Sequence, residues 1–320
     1  MADVGWVAVL LVGVVGIVWG AEAFAEHLAP AAVALGVSTF ALALLLAGAE
    51  PEELATGIAA SLRHAPAVAF GDVVGANIAM CMVAIGVGAI VAPLPFGRRV
   101  RLYGVAGLPL GAVAAFLSWG AHITRAGGGL LVGLYVVYVA VIWTIEGQPP
   151  ALGEASELTE AKEKARTGTR RRVGKDLAII VAGIAAMSLG ATLLVEAVRH
   201  LSHTDASQTS LSLTLVGFAT AFELVVLAFS ASRRGASEAV VAAVVGSYAY
   251  NVTMTLGAAA LVRPLRIAHA AHLHGPLLVM LGSLVVVIIF GWRSGRISRQ
   301  AGIVLLVAYP VFLSAVLVWG

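Results

Sequence analysis

The stretch AGAEPEEL (47–54) sets three carboxylates, Glu50, Glu52 and Glu53, inside a run that otherwise carries no charge. LGVSTFALALLLAGA (35–49) leads into it and ATGIAASL (55–62) follows. Carboxylates supply hard oxygen ligands, which suit Ca²⁺ and similar cations better than soft metals. Held in a low dielectric, they also carry protons near neutral pH. A fourth acid of this kind, Glu223, stands in FATAFELVVLAF (218–229), and Asp72 lies in GDVVGAN (71–77). Thr220, Ser247 and Asn251 add neutral oxygen donors close to Glu223 in the pattern of the chain. A charged side chain at the centre of a bilayer costs a few kcal/mol, so such residues face the bundle interior and meet an ion, a proton path or a partner charge.

The elements that must position these groups are membrane helices. Of 320 residues, 60% are hydrophobic and 12% charged, against about 25% charged in soluble domains. Apolar runs such as LALLLAGA and LVVVIIF do not alternate, which excludes a membrane β-barrel. At roughly 20 residues per span, the runs predict an all-α integral membrane protein. Its ten helices fall near 5–27, 35–62, 67–92, 100–118, 127–146, 176–199, 209–232, 236–262, 271–291 and 298–319. No basic residue precedes the first run, so it reads as a transmembrane helix and not as a cleaved signal. Pro51 opens the helix around the acids and frees carbonyls near residues 47–48. The second half has Phe222 there, so any break falls to Gly217 or to Thr220 bonding back to the backbone.

Fifteen of the twenty Lys and Arg fall in alternate connections: Arg98 to Arg101, 162–175, Arg233 and Arg234, and Arg293 to Arg299. Arg63, Arg125, Arg199, Arg263 and Arg266 make up the sparser set. The bias predicts both termini outside and the polar segment 147–175 in the cytoplasm as a solvated linker, with a short amphipathic helix over EASELTEAKEKA. His200, His203, His272 and His274 read as external loop residues. No basic patch interleaved with aromatics points to nucleic acid. The lone Cys81 cannot form an internal disulfide or a thiolate metal site. No G-x-S-x-G or H-E-x-x-H occurs, so no enzyme and no cofactor is implied.

The halves match without gaps at an offset of 171 residues, which lays Glu52 over Glu223, Arg63 over Arg234 and VVG (73–75) over VVG (244–246). Five spans per half is an odd number, so the second half enters the membrane in the opposite sense. The organisation is 1–146 and 176–320 as two inverted five-helix repeats joined by the linker, an architecture of carriers whose site lies at the midplane. A cation channel also uses rings of carboxylates, but by assembling several copies and not by inverted halves in one chain; a carrier of another cation or solute on the same scaffold is the competing reading, since fold does not fix substrate.

At these residues the chain resembles the Ca²⁺/cation antiporter superfamily, the sodium/calcium exchanger membrane fold. Its two repeats each carry a segment close to G-T-S-x-P-E and a second close to G-N-x-x-G-S-N-x-x-N/D. Here these stand as AGAEPE (47–52) with GDVVGANIAM (71–80), and FATAFE (218–223) with AAVVGSYAYN (242–251). The resemblance implies a plasma (inner) membrane antiporter of Ca²⁺ against Na⁺ or H⁺, with inorganic cations as its partners and no protein partner. It implies Glu52 and Glu223 as calcium ligands, with Thr220, Ser247 and Asn251 at sodium-site positions and the carbonyls of Gly48 and Ala219 as further donors. Ala49, Ala76 and Met80 replace polar residues of the family pattern. With Glu50, Glu53 and Asp72 as extra acids, proton coupling becomes credible.

Overall fold

Prolines and short polar caps set where the apolar runs become separate helices. The computed structural model describes residues 2–35, 49–147, 173–202, 204–268 and 270–319. Helix α1 (Ala2–Ala34) comes first. Pro51 then starts α2 (Pro51–Leu62), where its missing N–H is one the first turn leaves unpaired anyway. Pro66 does the same for α3 (Pro66–Val91). Helices α4 (Arg98–Ser118) and α5 (Arg125–Glu146) follow; Thr124 Oγ1 caps α5 by accepting from Gly127 N at 3.1 Å. The second half contains α6 (Val173–Leu201) and α7 (Asp205–Arg233), the latter opened by a reciprocal Thr204–Ser207 capping box. Helix α8 runs from Ser237–Tyr250 through Leu256–Val262, and α9 (Ala271–Ser294) and α10 (Arg299–Trp319) complete the chain.

Among the described residues, nine helices are long and apolar enough to cross a membrane. The other expected span, 35–62, is described only from residue 49, as α2. The helix expected in the linker, His203 and Gly48 lie outside the described residues. Three helices widen into a single π-helical turn, at Met80–Ala84 in α3, Ser212–Val216 in α7 and Asn251–Thr255 in α8. Such turns are frequent at functional sites.

One expectation is corrected. His200 belongs to α6, and His272 and His274 to α9, not to loops. His200 stacks on Trp6 at 3.9 Å and His274 on Trp119 at 4.2 Å, with His274 Nε2 donating to the Trp119 carbonyl at 2.9 Å. These flat contacts hold the helix ends wound. The fold is all-helical as expected, with two short ladders between connections: β1 (Leu94–Pro95) pairs antiparallel with β4 (Arg296–Ile297), and β2 (His122–Ile123) with β3 (Leu265–Arg266). Two-residue strands have no periodicity to read, and they exist because helix packing brings four connections together in pairs.

Helices α3 and α8 form the centre, with 89% of each central window buried, against 28% for α1 and α10. Element bounds recur at the offset seen in the sequence: the π turn Met80–Ala84 answers Asn251–Thr255, and β1 Leu94–Pro95 answers β3 Leu265–Arg266. Packing partners exchange in the same way. The end of α3 packs on α10 and the end of α8 on α5, while the start of α3 packs on α9 and the start of α8 on α4. Outside this core α1 lies against α6, so closely that a Cβ on Gly13 would sit 2.8 Å from the Gly190 carbonyl oxygen.

Candidate functional site

Helices α2, α3, α7 and α8 pack on one another around the acids, α2 against α3 and α8, and α7 against α3 and α8. The decisive approach is between backbones. A Cβ on Gly75 would lie 2.3 Å from the Leu213 carbonyl oxygen, and one on Gly217 would lie 2.4 Å from Ala76 N. One helical turn from this crossing, Thr220 Oγ1 donates to Asp72 Oδ1 at 2.9 Å. The Val216 carbonyl also lies 3.2 Å from that hydroxyl. A hydroxyl has one proton, and the carboxylate is the nearer and stronger acceptor.

Four acids on α2 and α3 are fully enclosed: Glu50, Glu52, Glu53 and Asp72. Ser247 of α8 donates to Glu50 Oε1. Glu52 neighbours Glu50, and Thr56 donates to the Glu52 backbone carbonyl at 2.8 Å. Glu53 faces Asn251 of α8 and Asp72 of α3, although neither of its oxygens has a hydrogen bond of normal geometry. Glu223 of α7 is half-buried and lies close to Glu52, with Glu22 of α1 also nearby. None of these five site acids has an ion pair among the described residues. Glu52 Oε1, both Glu53 oxygens, Asp72 Oδ2 and Glu223 Oε2 are buried with no protein donor. Buried polar atoms are almost always satisfied, so five orphaned carboxylate oxygens in one region call for protons, water or cations. No three His, Cys, Asp or Glu side chains among the described residues converge as a resident metal centre would. A bound cation would therefore also draw on neutral and backbone oxygens.

A family model described as sodium/calcium exchanger protein matches residues 5–144 and 175–318. The chain belongs to the sodium/calcium exchanger family. Among relatives of this exchanger-family chain is the sodium/calcium exchanger MaX1 of Methanosarcina acetivorans, 27% identical, with 95% of this chain and 96% of the relative aligned. The putative antiporter CaxA of Alkalimonas amylolytica is 24% identical over 94% and 95% of the two chains, and the inner membrane protein YrbG of Escherichia coli 25% over 98% and 96%. A solved structure of the sodium-calcium exchanger NCX_Mj shares the fold at TM-score 0.63 and 20% identity, over 98% of both chains. The family is one of transporters, not enzymes, and the chain is a multi-pass membrane protein.

The exchanger-family fold brings Glu50, Glu52, Glu53, Asp72, Thr220, Glu223, Ser247 and Asn251 to one region, with Ala219 partly buried on α7 beside Thr220. Asn251 opens the π turn of α8, and Thr255 Oγ1 donates to its Oδ1 at 3.3 Å. The α7 break expected from Gly217 or from Thr220 bonding back to the backbone takes the form of the π turn Ser212–Val216, which ends directly before Gly217 and whose Val216 carbonyl lies 3.2 Å from Thr220 Oγ1. Tyr250, which the sequence pattern does not mark, lies beside Glu50, Glu52 and Glu53, with its ring edge-on to Tyr135 at 5.3 Å. Its only signal was its place beside Asn251 in SYAYN. Asn77, in the triplet GAN, has a buried Oδ1 with no hydrogen-bond partner.

In this exchanger-family chain the Thr220 hydroxyl makes a separable test. Thr220→Val keeps the shape but leaves Asp72 Oδ1 without a donor beside the already orphaned Oδ2. Unfolding in detergent is expected to show a loss of about 1–3 kcal/mol, which Thr220→Ser recovers. A Val variant as stable as the parent would remove this bond from the account.

Proposed function

We propose that the chain is a secondary active cation antiporter that exchanges Ca²⁺, or another divalent cation, for Na⁺ or H⁺. Glu52 and Glu223 hold the divalent ion. Thr220, Ser247, Asn251 and the carbonyls of Gly48 and Ala219 complete its oxygen shell, and Glu50, Glu53 and Asp72 carry coupling protons. The observation that carries this reading is the set of enclosed carboxylate oxygens with no protein donor and no basic partner among the described residues. Such a site is stable only when positive charge occupies it. That requirement is also the coupling: two kinds of cation compete for one negative site, and bare carboxylates do not cross an occluded state.

Two features favour protons as the counter-ion. Glu50, Glu53 and Asp72 are additional buried acids beside Glu52, without a basic partner among the described residues. Ala49, Ala76 and Met80 offer no side-chain oxygen in the first half. Alternating access follows from two inverted halves, 1–146 and 176–320, joined by the cytoplasmic segment 147–175, with both termini outside. The matched element bounds, the exchanged packing partners and the Lys/Arg bias support that arrangement.

The test is uptake of radiolabelled Ca²⁺ into proteoliposomes of the purified protein under imposed Na⁺ or H⁺ gradients. Saturable uptake driven by an outward gradient of either ion is expected, with the H⁺ gradient the more effective. Gradient-independent flux carried as single-channel current would replace the antiporter with a channel. Absence of divalent transport under both gradients would end the proposal.

A further inference from the structure

The five arginines of the sparser connection set gather at one end of the molecule, away from the acids of the site. Arg63 and Arg199 share Glu196, at 3.1 and 3.5 Å. Arg125, Arg263 and Arg266 have no carboxylate partner among the described residues; Arg125 Nη2 donates to the Val262 carbonyl at 3.3 Å. These three line two adjoining cavities of about 290 and 370 Å³, which share Ser61, Arg263 and Pro264. Their frame is rigid: Ser61 Oγ donates to the Ala259 carbonyl at 2.7 Å, tying α2 to α8, and Arg266 is held in the β3 ladder opposite His122.

His64 completes the cleft at the expense of its own backbone. Helices α2 and α7 end in the same cap, with Ala65 N bonded to Ala60 O at 2.8 Å and Ala236 N to Ala231 O at 2.9 Å. Such a cap needs a left-handed residue, normally glycine. At the end of α7 that residue is Gly235, φ 79°; at the end of α2 it is His64, φ 59°. A side chain in this conformation is strained, and strain retained in a fold points to function. Here it sets the imidazole against the Arg263 guanidinium, whose N–H donates to the ring nitrogen, so the remaining guanidinium N–H groups line a space with no carboxylate partner among the described residues.

We propose that this cleft binds a phosphate-type oxyanion between Arg125, Arg263, Arg266 and His64. Guanidinium groups bond such anions through paired N–H donors. The phosphate could belong to a lipid headgroup or be free in solution. Because Arg263 ends α8 and His64 ends α2, the bound anion would brace two of the helices that hold the site.

Thermal unfolding of the full chain tests this in two settings. One is detergent with inorganic phosphate against chloride at matched ionic strength; the other is nanodiscs of phosphatidylcholine with and without phosphatidylglycerol. A saturable rise of the midpoint is expected with phosphate, with phosphatidylglycerol, or with both, and the responding arm names the source. In the double variant Arg263→Gln/Arg266→Gln the apparent affinity is expected to fall at least about tenfold, the worth of one hydrogen bond to a charged group. His64→Gly should raise the midpoint without anion, since glycine suits the cap, and yet weaken the response. If the double variant fails to fold, His64→Gly alone decides. No response to either probe, or a response that both variants keep, would overturn the proposal.

Discussion

Glu52→Gln is expected to lower cation exchange by about 100-fold or more while the protein still folds. Loss of a group that merely supports a metal ligand costs 10–100-fold, and Glu52 is proposed as the ligand itself. Its place among the acids argues the same: Glu50, Glu53, Asp72 and Glu223 each lie close enough to feel its charge. Gln keeps the size and removes the negative charge at this centre, so a divalent ion loses its main attraction. Removing a buried charge from among like charges also relieves repulsion, so the unfolding midpoint without cations should not fall. Glu223→Gln should be milder, because Glu223 is half-buried and borders fewer of the acids. The measurement is gradient-driven uptake beside thermal unfolding for both variants. Parent-level transport by Glu52→Gln, whichever cation is offered, would take Glu52 out of the site.

The second large effect belongs to a residue without chemistry. Gly217→Ala places a methyl group 2.4 Å from Ala76 N and 2.6 Å from the Gly75 carbonyl carbon. Both neighbours are backbone, so no side chain can turn aside and α7 must move off α3. Overpacking costs about 1–3 kcal/mol where neighbours can yield, and here they cannot. Thr220, one turn further along α7, would be drawn from Asp72. Folded yield and transport are both expected to fall about tenfold or more. Gly133→Ala is the control: its added Cβ meets nothing within 4 Å, and alanine favours a helix by roughly 0.5–1 kcal/mol. Equal stability of the two variants would show that the close crossing of α3 and α7 is not required.

Much of the molecule was legible beforehand because a bilayer makes demands that act along one dimension. It selects apolar runs of a set length, so all nine spans among the described residues fall where hydropathy put them. It penalises charge, so Glu50, Glu52, Glu53, Asp72 and Glu223 stood out before any coordinates, and the 171-residue offset paired Glu52 with Glu223. Proline chemistry is equally local, and α2 begins at Pro51. The helical histidines are not legible in the sequence for a physical reason: a polar residue at the end of a run reads as loop unless an aromatic partner is known, and Trp6 lies in α1 and Trp119 in the turn after α4.

By itself, then, the sequence determined a membrane-spanning helical chain and which of its helices carry the buried acids. Tertiary structure alone decided which hydroxyl serves which carboxylate: Thr220 for Asp72, Ser247 for Glu50. It alone decided that the oxygens left over would have no donor, and that arginines from separate connections would line two adjoining cavities. Length and polarity are properties of a segment and can be read along it. Contacts between residues 148 or 197 positions apart depend on how helices cross, and here that crossing is set by glycines whose missing side chains let two backbones touch.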